Sequence, residues 1–494
     1  MEDKSTNQLA SKSPVRNFPM QRTQYDAVIV GAGPNGLAAA VTLAQQGRSV
    51  VIFEAADTIG GGTRTAELTL PGFKHDVCSA IHPLGLASPF FRSLPLDRHG
   101  LKWIQPNAPL AHPLDDGTAV LLSRDMQTTV DELGSDGAAY QRLLTPFVEN
   151  WQALLREILG PLRPPRHPFL MARFGLLALR SAQSLATARF KSERTRALFA
   201  GLGGHSMMPL DAMLTSAFGI MLGSLAHAVG WPMAAGGSQA IPAALADYLD
   251  AMGVEIVTRQ RIQSLDELPQ ARAVLLNTAP NQLSQIAGGR LPERYLKQLK
   301  RYRYGPGVFK VDWALDGPIP WTARRCLEAG TVHVGGTMDE IVAAEGAVGR
   351  GEHAERPFII LAQQSLFDSS RAPEGKHTAW GYCHVPNGSS VDMTDRIEAQ
   401  IERFAPGFGN RILERHTYNS VDMEAYNANY VGGDINAGIP DLRQILTRPL
   451  PRLSPYTTPV HDLYLCSSAT PPGGGVHGMC GYYAARVVLK RSLK

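Results

Sequence analysis

Residues 25–54 read YDAVIVGAGPNGLAAAVTLAQQGRSVVIFE, and this stretch limits the fold more than any other in the chain. An apolar run at 27–30 ends in Gly31-x-Gly33-x-x-Gly36. Ala40 and Gly47 follow at helical spacing, and a second apolar run at 49–53 ends in Glu54. The pattern predicts strand, turn, helix and strand. Gly31 permits the tight turn, Gly33 lets the backbone approach a pyrophosphate, and Gly36 lets the helix lie close on the strand. Pro34 and Asn35 open that helix, whose free N–H groups and partial positive charge suit phosphates. Glu54 lies near the usual spacing of about 20 residues for a carboxylate that binds a ribose hydroxyl. A lone GxGxxG is a weak signal. Here both strands, the helix and the acid are in register, so a dinucleotide site is expected over an ordinary glycine-rich turn.

A chain of 494 residues is too long for one core, so two domains or a discontinuous pair are expected. With 44% hydrophobic and 19% charged residues it reads as a soluble globular enzyme. A net charge of +4 is too mild for a nucleic-acid partner. The five cysteines are far apart and form no CxxC, which predicts free thiols and a cytoplasmic, reducing location. HExxH is absent and the 14 histidines lack ligand spacing, so no metal is expected. Residues 1–24 carry no apolar core of a secretory signal, and Glu2 and Asp3 argue against a mitochondrial presequence. They read as a disordered tail.

After Glu54, Gly60, Gly61 and Gly62 precede Thr63 and Arg64 in a loop whose amides and guanidinium suit a second phosphate. A flexible turn is the alternative. Residues 72–84 carry His75, Asp76 and His82. From 143 to about 200 the pattern is helical, and 151–200 holds nine Lys/Arg against two acids, with apolar residues between them. Such a segment suits either an anionic membrane surface or a solvated helical face. Residues 212–246 contain no charged side chain, and 212–231 is long enough to span a bilayer. Polar residues and Gly219, Gly223 and Gly230 interrupt it, so a buried, cavity-lining helix is expected instead. A helix at 241–252, a strand at 254–258, a hairpin and a strand at 273–276 read as a return to the nucleotide sheet. Strands between 305 and 385 suggest an inserted substrate domain.

Residues 463–489 read LYLCSSATPPGGGVHGMCGYYAARVVL. A strand runs into Ser467, Ser468 and Thr470, then three glycines, and a helix is expected to begin near His477 or Gly478. A second glycine-rich strand-to-helix turn so far from the first implies one long ligand held at both ends. One turn would take the pyrophosphate, and the other would aim amides at a flavin ring. A separate phosphate site or a structural turn is the alternative.

The pairing of VIVGAGPNGLAAA, FEA and GGGTRT with LYLCSSATPPGGGVHGMCGYYAA resembles the phytoene desaturase-like FAD oxidoreductases, a superfamily that also holds the flavin amine oxidases. QSLFDSSRAPEGKHTAWGYCHVP, IERFAPGF and YVGGDINAG resemble the branch of pyridine nucleotide-disulfide oxidoreductase domain-containing protein 2. The resemblance covers about residues 25–490. It implies an α/β fold: a discontinuous Rossmann-like FAD-binding domain (25–105, 233–300 and 455–494) with an inserted mixed β-sheet plus helical substrate domain (106–232 and 301–454, helical subdomain 143–231). It also implies FAD as cofactor. Gly31, Gly33 and Gly36 would face the pyrophosphate and Glu54 the adenosine ribose. Gly61, Gly62, Thr63 and Arg64 would lie by the phosphate and ribityl chain, and the backbone near Ile262 by adenine. Thr470, Gly474, Gly475, Val476, His477, Gly478 and Met479 would lie under the pyrimidine end. Ser467 and Ser468 depart from the glycine or acid of many relatives.

No redox CxxC exists, so disulfide chemistry is not expected. No second GxGxxG exists in a βαβ setting, which leaves oxygen or a quinone as acceptor. Lys310 is the first candidate acid–base group, because alternation in GVFKVDWAL puts Val308, Lys310 and Asp312 on one face. A surface Lys–Asp pair on an edge strand is the alternative. His384 is the second candidate, with a satisfied core histidine as the alternative, and His82 and His75 come third. No GxSxG nucleophile motif appears. The expected reaction is removal of a hydride from a largely apolar, carotenoid- or isoprenoid-like substrate, in a cavity lined partly by 200–235. An amine oxidase, with walls from Trp380, Tyr382, Tyr482 and Tyr483, is the second reading. A flavin-holding interaction protein is the third. The sequence leaves the oligomeric state open.

Overall fold

The opening strand Gln24–Val30 is buried from Ala27 onward and sits in the middle of a five-stranded sheet. The computed structural model describes residues 23–494, so all but the end of the expected tail lies outside them. Across the sheet the order is Leu463–Leu465, Gln270–Leu276, Gln24–Val30, Val50–Phe53 and Glu255–Val257, every pair parallel. These short, almost wholly apolar runs are what a parallel sheet covered on both faces requires. The helices Pro34–Ala44, Ala240–Asp250 and Met479–Arg491 share one core with Ala27, Ile29 and Ile52. Leu283, Ile286, Tyr295 and Leu299, from two shorter helices, pack with Val28, Val51 and Leu276.

The hairpin expected after 258 is not formed. Glu255–Val257 is an edge strand beside Val50–Phe53, and Gln270–Leu276 lies on the far side of Gln24–Val30. Gln270–Leu276 has a parallel partner on each side and is separated from Glu255–Val257 by two strands, so the two runs cannot pair with each other. The segment between them instead carries Gln260, Arg261 and Ile262 to the end of the sheet where a ligand is expected.

A second, seven-stranded sheet has the order Ile412–Tyr418, Gly307–Leu315, His377–Val385, Ile359–Ala362, Ala329–Val334, Ala108–Pro113 and Ala119–Leu122. Its pairs are antiparallel except Ala329–Val334 with Ala108–Pro113. Gly307–Leu315 is therefore an interior strand, which corrects the edge-strand reading of Lys310. The alternation holds: Phe309, Val311 and Trp313 enter the apolar core, while Val308 faces the other way, toward Met207 and Tyr430.

The helical stretch expected from 143 to 200 is five helices, Gly137–Glu149, Trp151–Ile158, Pro168–Ala178, Ala182–Arg189 and Glu193–Gly204. Prolines at 161, 164 and 165 keep 159–167 out of helix. The helix Thr215–Ala228 is mostly buried, as expected of the uncharged segment. Its glycines serve close packing, since a Cβ on Gly219 would stand 2.8 Å from the Phe199 ring. Among the described residues no helix is long and apolar enough to cross a membrane.

The tightest contact joins the first and last helices. A Cβ on Gly481 would stand 1.7 Å from the Asn35 carbonyl oxygen, and one on Gly36 would stand 2.0 Å from that of Gly31. Backbone cannot yield as a side chain does. Gly481→Ala is expected to cost about 3 kcal/mol or more in urea unfolding, at the upper end of overpacking. Gly289→Ala, with nothing within 4 Å of its Cβ, should stay within about 0.5 kcal/mol of the parent. Equal losses would contradict this packing.

Candidate active site

One cavity of ≈ 610 Å³ runs from the ends of the parallel strands to the face of the second sheet. Its near part is built by the turn after Gln24–Val30. Gly31 has φ +99°, a conformation that side chains disfavour, and Gly33 and Asn35 line the cavity beside it. Pro34 occupies the first turn of the helix, where its missing N–H costs nothing. Gly36 does not line the cavity; it lies against the backbone of Gly31.

Glu54 ends the next strand and is held by three donors. Its Oε2 accepts from Ala32 N (2.8 Å), and Oε1 accepts from Ala56 N (3.0 Å) and Arg64 Nη2 (3.1 Å). Arg64 also donates to the Thr58 carbonyl through Nε and Nη2, and its guanidinium lies 5.5 Å from the Tyr426 ring. Gly61, Gly62, Thr63, Arg64 and Ile262 all line the cavity.

The second glycine-rich turn meets the first. Asn35 Nδ2 donates to Ser468 Oγ at 3.2 Å, and Ser467, Ser468, Gly475 and Val476 line the cavity. Asn35 Oδ1 is buried without a partner. Thr470, Gly474, His477, Gly478 and Met479 do not line the cavity but shape the turn behind it. Thr470 Oγ1 donates to the Ser467 carbonyl, His477 Nδ1 accepts from Met479 N, and Gly478 takes φ +70° before the last helix.

Several lining residues had no sequence motif. Asn277, after the strand Gln270–Leu276, donates from Nδ2 to the Gly31 carbonyl (3.2 Å). Asn429 donates to the Asn277 carbonyl and accepts from Ala279 N. Tyr426, Tyr430 and Asn436 complete that wall. The available signal for Asn277 was its place at the carboxyl end of a parallel strand. The 426–436 wall had only YVGGDINAG, which resembled a family branch without revealing a role.

The far part of the cavity is different in character. Ile81, Leu222, Trp231, Ile360, Ala362 and Trp380 are apolar or aromatic, with Tyr382 beside them. Its polar groups are His82, His205 and Thr331. The charged residues that line the cavity, Glu54, Arg64 and Arg261, all belong to the near part. Burial lowers His205 to about 3 and His82 to about 4, so both imidazoles are neutral near pH 7. Ser238 Oγ donates to the Ser79 carbonyl (2.6 Å) and so accepts from His82 Nε2 (2.8 Å). That fixes the Nε2–H tautomer and leaves Nδ1 a lone pair without a partner. His205 Nε2 lies 2.9 Å from His333 Nε2.

Lys310 and His384 do not line the cavity. Lys310 is buried, paired with Asp312 through Nζ and Oδ2, and its Nζ lies 5.4 Å from the Trp380 ring. Burial raises Asp312 to about 6, and His75 Nδ1 is 3.6 Å from it. His384 Nδ1 is 2.8 Å from Glu345 Oε2, behind Tyr382. Trp380 and Tyr382 line the cavity, whereas Tyr482 and Tyr483 do not. The five cysteines are free. Among the described residues no group of three or more His, Cys, Asp or Glu is placed to hold a metal ion.

Residues 29–94 match the model of an NAD(P)-binding Rossmann-like domain. Along its length the chain is similar to pyridine nucleotide-disulfide oxidoreductase domain-containing protein 2 of Mus musculus, with 27% identity over 95% of this chain and 94% of that protein. It is also similar to the neurosporene-forming phytoene desaturase of Rhodobacter capsulatus, with 25% identity over 92% of each. Among solved structures, the cyclohexylamine oxidase of Brevibacterium oxydans superposes with a TM-score of 0.59 at 17% identity, covering 95% of this chain and 100% of that one. The resemblance to phytoene desaturase-like oxidoreductases is borne out, and the fold is shared with the cyclohexylamine oxidase.

Acid should weaken this fold through its histidines. Burial lowers His75 and His205 to about 3, and His82, His112, His227 and His477 to about 4, from an ordinary 6.5. The unfolded chain takes protons that the folded chain refuses, so stability is full above pH 6.5 and falls as pH drops toward about 4. Asp312 and Asp434, both raised by burial, oppose this as two groups against the six histidines. Thermal unfolding midpoints should fall steadily across that window, and a flat profile would contradict the burial of neutral imidazoles.

Proposed function

We propose that this chain, a relative of the phytoene desaturases, binds FAD along the cavity and takes a hydride from a neutral, largely apolar substrate at a C–C bond. The cradle suits the group: Gly31 and Gly33 put no side chain into the near cavity, and Asn35 Oδ1, beside Ser468, is a buried acceptor without a protein partner that a ribityl hydroxyl would satisfy. Gly31, Gly33 and the start of the first helix would hold the pyrophosphate. Glu54 would hold the ribose, and Ile262 would lie by adenine. Ser468 and the 475–476 backbone would lie by the ribityl and pyrimidine end. Bound there, the flavin supplies a two-electron acceptor at N5.

The lining of the far cavity carries the choice of substrate. Leu222, Trp231, Ile360, Ala362 and Trp380 orient an apolar body and exclude water, and no charged side chain reaches that part. An ammonium placed there would be buried without a counter-charge, which is strongly unfavourable. His82 Nδ1 lacks a protein partner at this wall, and burial, which lowers His82 to about 4, makes it a weak base that would hold a proton from substrate only in passing. Lys310 stays paired with Asp312 behind Trp380 and serves to position that ring. Oxygen or a quinone would reoxidise the flavin. The amine oxidase reading keeps one observation in its favour: Trp380 and Tyr382 form aromatic walls in a fold shared with an amine oxidase.

Anaerobic mixing of the yellow protein with polyenes or isoprenoids in detergent, and separately with amines, tests the reading. Flavin bleaching by the neutral substrates alone is expected. Bleaching by an amine, with peroxide on admitting air, would overturn it. His82→Gln should slow that bleaching by about 10²-fold or more with FAD content kept. An unchanged rate would remove His82 from the chemistry.

A further inference from the structure

The helix Pro168–Ala178 is apolar on two opposite sides. Phe174 and Ala178 are buried against the helical layer, with Leu170, Met171 and Leu177 packed beside them. On the other side Phe169 is 90% exposed and Leu176 75% exposed. These two lie two turns apart and share a face with Ala172 and Arg173, all exposed. Leu179, just past the helix, is 42% exposed. Leu162, in the proline-broken segment before it, is 71% exposed. Met213 is 52% exposed, and nearby Ser216 Oγ donates to the carbonyls of Leu177 and Arg180. A water-facing surface scatters large apolar side chains singly, whereas a contiguous set of them marks a contact face.

The charge around this face selects its occupant. Residues 158–192 contain no Asp or Glu but hold Arg163, Arg166, Arg173, Arg180, Arg189 and Lys191. The preceding acid, Glu157, is turned inward, its side chain 3% exposed and held by His167. A second copy of the chain would bring two arginine-rimmed faces together. An anionic lipid surface neutralises them and takes up the apolar side chains. The helix spans about 16 Å, too short to cross a bilayer, so it fits a position in the plane of the interface.

We infer that the segment 159–180, with Met213, docks this protein on an anionic membrane surface. The docked helix rests on Thr215–Ala228, whose Leu222 lines the cavity. On the reading of that cavity as the site of an apolar substrate, one helix layer separates the site from the lipid.

Sedimentation of the purified full-length protein with phosphatidylcholine vesicles, with and without phosphatidylglycerol, tests this at low and high salt. The parent should pellet with the anionic vesicles at low salt and stay in solution with the neutral ones. The exposed double variants Phe169→Asp/Leu176→Asp and Arg166→Glu/Arg173→Glu should each lose about tenfold or more in vesicle binding. Their thermal midpoint and flavin content should stay those of the parent. A parent that remains soluble with anionic vesicles, or variants that pellet as the parent does, would overturn the assignment. So would a dimer in light scattering that Phe169→Asp/Leu176→Asp dissolves, which would give the face to a second copy. None of these outcomes depends on which substrate is turned over.

Discussion

The site depends on how closely backbone lies to backbone around the first helix. The carbonyls of Gly31 and Asn35 occupy the space that side chains on Gly36 and Gly481 would need. The first helix is therefore clamped between the opening strand and the last helix, with its N-terminus at the cavity. The same clamp brings Asn35 to Ser468, across more than four hundred residues of chain, and makes one cradle from two turns. Any added methyl group at these contacts must move a helix, so the binding end of the cavity and the stability of the parallel sheet are one problem.

The second constraint is the separation of charge along the cavity. Glu54 and Arg64 are fixed to each other and to backbone amides and carbonyls at the near end. Past Cys78 the walls come from the second sheet and the helical layer, and they are neutral. The ionic groups buried around this sheet lie behind the aromatic walls and pair with one another. Lys310 pairs with Asp312, Arg371 with Asp76, and Glu345 with His384. Asp76 also accepts from Ser238 N and Thr65 Oγ1, so this network ties the loop that carries His82 to the second sheet. A buried network of this kind is costly to leave half-made, which favours a single arrangement of walls around the substrate.

The local part of the site was legible in the sequence because its physics is local. Gly31, Gly33, Glu54 and Arg64 follow from one strand–turn–helix–strand unit, and the second turn announced itself by its own glycines. The alternation that grouped Lys310 with Asp312 was also legible, because a strand has a period of two. What alternation does not carry is which strands flank a given one, so the interior place of Gly307–Leu315 emerged only from topology. The same holds for Asn277 and Asn429, which meet across 152 positions, and for the missing hairpin after 258. Tyr482 and Tyr483 had the right chemistry for a cavity wall, but the last helix turns them toward Phe90 and Tyr456 instead.

On the proposed function, one dinucleotide lies across both glycine-rich turns. The most direct test is the flavin content of the purified protein, measured by absorbance and by chromatography of the nucleotide released on denaturation. FAD at one per chain is expected in the parent, and its loss in Gly33→Val, where the new side chain would enter the cradle. A parent that neither carries FAD nor takes it up when it is added, while remaining folded, would contradict it.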